Sequence, residues 1–329
     1  MTIIRLFASF AALCVALFAQ QMPGDDAVRV AEFYRLAAQV QDGVWPGWSA
    51  IPAPLLLVTK DAEFLTHHPS PPKEFTKIGA DFYTRPRQFD TGLLATFPAF
   101  GPPSVVVIGQ PQNTDAKTST PWLFIVMHEH FHQLQNAQPG YFDGVSRLGL
   151  SRGDTTGMWM LNYPFPYDKP EIAHGFDHLR ELLLDALKTP GDMAFQNKAS
   201  KYVEERRRVL ALLSADDHRY IAFQLWQEGI ARYTQIKVAE VAATFEPASR
   251  FVNLGDYEPF SSYAARARAE TLRELENADL ASMKRVFVYP FGAAEGLFLD
   301  RWNPGWKNGY FRQMFSTDAL FETGGSKAK

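Results

Sequence analysis

The chain has 329 residues, of which 46% are hydrophobic and 21% are charged, and its formal net charge is −3. This composition predicts a folded protein with a substantial core. It excludes the strongly basic surface that binds nucleic acid or anionic lipid. We therefore expect neither a nucleic-acid partner nor a membrane partner for the mature protein.

The N-terminus predicts a signal peptide over residues 1–19. Arg5 supplies a positive charge, residues 6–18 form an uncharged apolar run, and Ala19 stands near the expected cleavage point. The run is shorter than the roughly 20 residues that a membrane span needs, which disfavours the alternative of an uncleaved anchor. We predict a secreted or periplasmic protein. The only cysteine, Cys14, lies in this run, so any metal in the mature chain would be bound by His, Asp or Glu.

The next part of the chain, residues 20–140, predicts a mixture of helix and strand. Apolar residues at helical spacing predict a first helix over 25–41. Two strand-like runs follow among Pro- and Gly-rich loops, at residues 55–59 and 104–109. Thr120-Pro121 opens an apolar helix that should continue to about Ala137, where Pro139-Gly140 ends it.

The remaining part, residues 141–329, predicts mainly helical structure after an irregular segment over 141–170. Helical periodicity occurs in five segments: 171–187, 195–213, 217–243, 263–277 and 293–302. A small sheet in the N-terminal half and helices in the C-terminal half define an α+β fold. We expect a cleft between the two parts.

The sequence His-Glu-His-Phe-His at residues 128–132 lies in the predicted helix that follows Thr120. His128 and His132 are four residues apart, so a helix places both imidazoles on one face, within reach of one metal ion. Zinc bound to imidazole nitrogens and left one ligand short lowers the pKa of its water to about 7. Glu129 would then accept the proton of that water as a general base.

The apolar residues around this motif favour a functional role for its polar side chains. The preceding residues 122–127 are all apolar, which predicts a buried helix, and burying two histidines and a glutamate is costly without a function. His130 would point away from the ligand face and is predicted to be a hydrogen-bonded structural histidine. In a strand, the histidines at 128, 130 and 132 would share one face instead, but the Thr-Pro start and Pro-Gly stop favour a helix.

A third protein ligand is needed, and Glu228 is the candidate. The motif does not continue to a third histidine, because Gln135 and Gln138 occupy the later positions. Glu228 stands among apolar residues, and the following Gly229 would let two helices approach closely. The alternative is that Glu228 is a solvated helix residue.

Three short pieces of the chain resemble the glutamate-zincins, a clan of peptidases with a thermolysin-like catalytic core. They are His128-Glu129-x-x-His132, Glu228-Gly229-x-Ala231 and Tyr289-x-x-Gly292. The resemblance implies a zincin-like fold and one zinc ion per chain, with His128, His132 and Glu228 as ligands. It also implies that Glu129 is the general base and that Tyr289 stabilises the oxyanion.

The chain departs from that clan in several respects. The second and third ligands are much farther apart than in most members, and Arg232 stands where an aspartate would support a histidine. The Gly-x-Met-x-Asn strand of exopeptidases does not precede the motif, so the resemblance does not extend to aminopeptidase activity. Tyr233 and His218 are alternatives to Tyr289 for stabilising the oxyanion.

The sequence therefore predicts an exported zinc metallopeptidase that acts on a peptide or protein substrate. Two alternatives remain: a catalytically idle protein with a zincin fold that binds its partner, and a zinc hydrolase of a non-peptide amide or ester. The intact Glu129 disfavours the first, because a binding module needs no general base. Two histidines and a carboxylate also suit other divalent metals, including iron.

Overall fold

A computed structural model describes residues 21–324 of the chain. The predicted signal peptide and Cys14 lie outside the described residues. A six-stranded sheet occupies the N-terminal half, and helices make up most of the C-terminal half, which confirms the predicted α+β class. None of the described helices is both long enough and apolar enough to cross a membrane.

The sheet is mixed and has the spatial order β3-β4-β2-β1-β6-β5. In chain order its strands are β1 (Leu55–Val58), β2 (Ala62–Thr66), β3 (Thr76–Lys77), β4 (Phe82–Pro86), β5 (Leu94–Phe97) and β6 (Val105–Gly109). β1 and β6 pair in parallel, and the other pairs are antiparallel. The predicted strands at 55–59 and 104–109 are β1 and β6, while the other four were not predicted.

The central strands β1 and β6 are buried on both faces, as their unbroken apolar sequences require. Because successive side chains of a strand point to opposite faces, each strand contributes to two cores. One face packs against the helices, through Leu55, Leu57, Val106 and Ile108. The other face packs against aromatic side chains of the loops, through Leu56, Val58, Val105 and Val107.

Fourteen α-helices occur within residues 21–324. They are α1 (Gly24–Val44), α2 (Ser119–Asn136), α3 (Tyr141–Arg147), α4 (Trp159–Asn162), α5 (Pro170–Lys188), α6 (Asp192–Leu210), α7 (Ala215–Gln224), α8 (Ile230–Ala242), α9 (Ser249–Val252), α10 (Phe260–Glu276), α11 (Leu280–Met283), α12 (Val288–Trp302), α13 (Lys307–Tyr310) and α14 (Asp318–Glu322). A π-helical turn, Leu225–Gly229, joins α7 to α8, and a 3₁₀ turn, Lys284–Phe287, joins α11 to α12.

The predicted helices are confirmed, with three differences. The predicted helix 217–243 is interrupted by the π-helical turn. The last one, predicted at 293–302, begins at Val288, because Pro290 is tolerated in a first helical turn. The segment 141–170, predicted to be irregular, contains the short helices α3 and α4.

Helix α2 lies between the sheet and the helical half of the molecule. It contacts β5 and β6 on one side and α1 and α8 on the other. At its N-terminus, the Asp256 carboxylate accepts hydrogen bonds from the backbone N–H and the hydroxyl of Ser119, at 3.0 and 2.5 Å. A carboxylate in this position stabilises a helix by about 0.3–1 kcal/mol. The C-terminal turns of α2, which carry the His-Glu-x-x-His motif, are thus held between the two parts of the fold.

Candidate metal centre

The α2 motif presents its side chains as a compact, buried group. His128, Glu129 and His132 offer ligand atoms that all lie within 4.8 Å of one another. Their exposed fractions are 7%, 6% and 5%. Buried polar groups of this kind need partners, and a metal ion is one partner that two imidazoles and a carboxylate can share.

Glu228 meets the two histidines from the C-terminal half. Its Oε2 lies 3.3 Å from His132 Nε2 and 3.8 Å from His128 Nε2. Donor atoms about 2.05 Å from a tetrahedral zinc ion are about 3.3 Å apart, so these spacings suit three zinc ligands with a fourth position left over. The Glu228 side chain is 16% exposed, which excludes the alternative of a solvated helix residue.

The backbone around Glu228 is unusual in two ways. Glu228 lies in the π-helical turn between α7 and α8, a feature that often marks functional sites. The adjacent Gly229 touches α12 so closely that a Cβ atom there would lie 2.6 Å from the Cα of Gly292. The predicted close approach of two helices beside Glu228 is confirmed, and its partner is α12.

Gln135 orients the ring of His132. Its Nε2 donates to the hydroxyl of Tyr310 at 2.7 Å, so its Oε1 is free to accept from Nδ1–H of His132 at 2.6 Å. Gln227 Nε2 lies 3.0 Å from the same ring nitrogen, and the shorter contact with Gln135 sets the position of the proton. An imidazole held by Nδ1–H in this way offers Nε2 to a metal.

Arg232, which stands where the resemblance would place a supporting aspartate, contacts neither histidine. Arg232 instead donates to Gln235 at 3.2 Å and takes no part in the centre. Gln135 follows His132 by three residues, so helical geometry already places the two on one face. The sequence analysis noted Gln135 only as a missing third histidine.

The pKa values of His128, His132 and Glu228 shift in different directions. Burial lowers the pKa of His128. Burial acts the same way on His132, but the negative charge of Glu228 outweighs it and raises the pKa of His132 to about 9. Burial would raise the pKa of Glu228, but His132, His128 and Arg285 hold it well below its usual range. A metal binds imidazole only in its neutral form, so a divalent cation and protons would compete for these ligands.

Glu129 is held by the edge strand of the sheet. The hydroxyl of Thr96, on β5, lies 2.7 Å from Glu129 Oε2 and 3.0 Å from the Glu129 carbonyl oxygen. A hydroxyl has one proton to donate, and the shorter contact is with the carboxylate. One oxygen of Glu129 is thereby fixed, and Oε1 is left for another partner. Thr96 was not predicted from the sequence, because no local pattern distinguishes it.

Arg285 is the second residue that the sequence analysis missed. Its Nη2 donates to Glu228 Oε1 at 2.8 Å, its Nη1 to the Tyr289 hydroxyl at 3.1 Å, and its Nε to Gln224 Oε1 at 2.9 Å. It lies 57 positions beyond Glu228, in the 3₁₀ turn before α12. No sequence motif could have linked the two residues.

The two carboxylates of the centre therefore differ in their surroundings. Glu228 faces a guanidinium and two imidazoles, which keep it ionised as a metal ligand must be. Glu129, by contrast, accepts a hydrogen bond from a neutral hydroxyl.

Of the three candidates for stabilising an oxyanion, Tyr289 is the one beside the ligands. Its ring centroid lies 6.3 Å from that of His128. Burial, reinforced by Glu228, raises the pKa of Tyr289, so its hydroxyl stays protonated and can donate. Tyr233 instead donates to Asp300 at 2.7 Å, and His218 pairs with Asp318 at 2.9 Å.

His130 faces the opposite side of α2, as predicted for a structural histidine. Its Nδ1 lies 2.8 Å from Gln133 Oε1, its Nε2 lies 3.0 Å from Gln41 Oε1, and its ring stacks on Trp48. Burial lowers the pKa of His130 to about 4. The alternative of a three-histidine site on a strand is wrong, because the segment is helical.

The structure thus brings together all the residues predicted for the site and adds three more. The predicted residues are His128, Glu129, His132, Glu228 and Tyr289, and the added ones are Thr96, Gln135 and Arg285. Comparison of the chain with family models, curated proteins and solved structures gave no match.

Proposed function

We propose that the protein is a zinc-dependent peptidase of the glutamate-zincin type, with a zincin-like arrangement of sheet and active-site helix. One zinc ion per chain would be bound by His128, His132 and Glu228. The observation that carries the proposal is the position of Glu228 Oε2, 3.3 and 3.8 Å from the two imidazole nitrogens. Three protein ligands and one open position are typical of catalytic rather than structural zinc. Export remains a prediction that rests on residues 1–19.

The residues of the site have complementary tasks in hydrolysis. Held by His128, His132 and Glu228, a zinc ion would supply Lewis acidity, which lowers the pKa of a water to about 7 and polarises a carbonyl. Glu129 Oε1, the oxygen that Thr96 leaves free, accepts the proton of the attacking water and passes it to the leaving amine. The Tyr289 hydroxyl donates a hydrogen bond to the oxygen on which negative charge develops.

The position of β5 favours a peptide as the substrate. β5 is the last strand of the sheet, and no described strand pairs with its outer edge. An extended peptide can add to such an edge as a further strand, held by backbone hydrogen bonds. Because Thr96 of β5 contacts Glu129, a peptide in this position would bring its carbonyl groups beside the base.

The hydrogen bond from Thr96 to Glu129 also favours a catalytic role over a binding role. A protein that only binds a partner through a metal has no use for an oriented carboxylate next to it. Here Thr96 fixes one oxygen of Glu129 and leaves the other free, which suits repeated proton transfer.

The test is digestion of a diverse peptide library, read by mass spectrometry, with the wild type and Glu129→Gln in zinc-containing buffer. Glu129→Gln keeps the ligands and removes the base, so we expect bound zinc but cleavage slower by about 10²–10⁴-fold. Glu181→Gln, on the exposed face of α5, is the control and should cleave normally.

Each other outcome contradicts a stated part of the proposal. Equal cleavage by both proteins would show that Glu129 is not the base. A wild type that holds one zinc ion but cuts no peptide would overturn the peptidase proposal and favour a non-peptide amide or ester. A wild type that binds no zinc would overturn the metal proposal itself.

A further inference from the structure

We propose that Arg285 is a positioning residue of this centre with two tasks. It holds Glu228 so that one defined oxygen faces the histidines, and it turns the proton of the Tyr289 hydroxyl toward the reacting carbonyl. The inference rests on the proposed function and adds to it a residue that no motif in the sequence indicates.

The first task follows from how the two Glu228 oxygens are used. Arg285 Nη2 donates to Oε1 at 2.8 Å, while Oε2 faces His132 and His128. A charge-assisted hydrogen bond to one oxygen fixes the rotation of the carboxylate. Glu228 therefore offers a single oxygen to the metal site, which keeps one position open for substrate or water.

The second task follows from the direction of the hydrogen bond to Tyr289. A guanidinium can only donate, so the Tyr289 oxygen accepts from Arg285 Nη1 at 3.1 Å. The hydroxyl proton must then point away from Arg285. The Tyr289 ring centroid lies 6.3 Å from that of His128, so a group bound beside the predicted ligands is within reach as an acceptor for this proton. The neighbouring positive charge also makes the hydroxyl a stronger donor.

Arg285 is itself held rigidly enough for both tasks. Its Nε donates to Gln224 Oε1 at 2.9 Å, and Gln224 Nε2 in turn donates to the carbonyl of Met160 at 2.9 Å. With each of its three nitrogens in a hydrogen bond, the guanidinium connects α7, the π-helical turn and α12. A lysine has one point charge in place of this planar fork and could not make all three contacts.

The backbone before Arg285 is strained. Lys284 has φ 50° and ψ −129°, a region that is essentially reserved for glycine, and its side chain is exposed. Such a conformation persists only where the surroundings hold it in place. Here the chain turns sharply from α11 into the 3₁₀ turn, and this turn directs Arg285 into the centre.

The first test measures zinc affinity by competition with a chromophoric chelator, and it needs no catalytic activity. We expect Arg285→Gln to bind zinc about 10–100-fold more weakly, the usual effect of losing a group that orients a ligand. Arg301→Gln is the matched control: Arg301 is also partly buried, but it contacts Thr189 and Phe195 and should leave zinc affinity unchanged. Arg285→Lys keeps the charge and serves if Arg285→Gln does not fold. Unchanged zinc affinity in the variant used would overturn the first task.

The second test is a double-mutant cycle on peptide cleavage at saturating zinc. Tyr289→Phe should lower kcat by about 10²–10³-fold, and Arg285→Lys by about tenfold, with KM little changed in both. In the Tyr289→Phe background, Arg285→Lys should have almost no further effect on kcat, because the group through which it acts is gone. Effects that multiply in the double variant would overturn the second task.

The two tests separate this inference from the proposed function. A wild type that binds zinc but cuts no peptide would refute the peptidase proposal and the second task, while the zinc titration would still decide the first. If the wild type cleaves peptides and the Arg285 substitutions change neither zinc affinity nor kcat, only the proposed role of Arg285 is refuted.

Discussion

Two buried arginines of this molecule form similar ion pairs with different consequences. Arg206 donates to Glu295 at 2.6 Å and to Asp318 at 2.7 Å, and Arg285 donates to Glu228 at 2.8 Å. Around Arg206, the guanidinium pairs with the two carboxylates, and the Tyr202 hydroxyl also donates to Glu295. Around Arg285, a carboxylate oxygen and two imidazole nitrogens remain turned toward one point.

This difference separates a structural network from a functional one. The Arg206 network joins α6, α12 and α14, so its interactions stabilise the packing of these helices. The Arg285 network gathers one carboxylate oxygen and two imidazole nitrogens around a point where a cation could bind all three, which is typical of sites selected for function rather than stability. Substitutions in the first network should therefore affect unfolding, and substitutions in the second should affect zinc binding and catalysis.

The largest effect on stability is expected for Arg206→Met. Removing the guanidinium leaves Glu295, which is 1% exposed, as an uncompensated buried charge. We expect the free energy of unfolding to fall by about 3–5 kcal/mol, as measured by urea denaturation. Zinc affinity of the folded fraction should stay within about twofold of wild type. A loss of zinc affinity as large as that of Arg285→Gln would erase the distinction between the networks.

Glu228→Gln is the corresponding substitution in the second network. It removes a predicted zinc ligand, so we expect zinc affinity to fall by more than the roughly 100-fold that loss of an outer group causes. Glu205→Gln is a closely matched control, because Glu205 is also 16% exposed and paired with an arginine. Chelator competition on both variants gives the comparison, and equal zinc affinities would remove Glu228 from the ligand set.

Gly292→Ala tests the helix that both networks share, since α12 carries Tyr289 and Glu295. A Cβ at this position would lie 2.5 Å from the Cα of Gly229, next to Glu228. We expect a loss of about 1–3 kcal/mol in unfolding free energy, together with weaker zinc binding, because the π-helical turn must shift. Normal zinc affinity despite that loss would mean that the close approach does not position Glu228.

The Arg206 network should also make stability depend on acidity. Burial would raise the pKa of Asp318, but Arg206 and His218 outweigh burial and lower it. A depressed carboxyl pKa contributes stability above the unfolded value of about 3.9, and this contribution is lost as the pH falls below it. Because the Asp318 side chain is 33% exposed, we expect only about 1 kcal/mol. Urea denaturation of Asp318→Asn should show a deficit at pH 6 that shrinks by pH 3, and a constant deficit would contradict this account.

The smallest expected effect is a gain in stability for Lys284→Gly. Glycine adopts the backbone conformation at this position without strain, and the side chain lost is exposed. Relief of strain, less the greater flexibility of an unfolded glycine, should stabilise the protein by about 1 kcal/mol in thermal or urea unfolding. A destabilised variant would show that Lys284 is not strained.

The sequence predicted those parts of the molecule that local patterns encode. Apolar periodicity and the Thr-Pro and Pro-Gly boundaries predicted α2, and continuous apolar runs predicted β1 and β6. Strands β2 to β5 were missed because none of them is a continuous apolar run like β1 or β6, and turn-forming residues surround them. The four residues of β5, Leu-Ala-Thr-Phe, carry too little pattern to distinguish a strand from a loop.

The candidate site divides in the same way. The His-Glu-x-x-His spacing is local, and the resemblance of Glu228-Gly229 to a known motif pointed to the third predicted ligand. Thr96 and Arg285 act across 33 and 57 positions of sequence, so only the folded chain places them. The π-helical turn was also missed, because one extra residue in a helical turn leaves the apolar periodicity almost unchanged.

The most direct test of the central claim is a crystal structure of the zinc-loaded protein with anomalous data at the zinc edge. We expect one strong anomalous peak per chain, about 2.0–2.2 Å from His128 Nε2, His132 Nε2 and Glu228 Oε2. A peak elsewhere, for example between His174 and His178 on the exposed face of α5, or no peak at these ligands, would contradict the account.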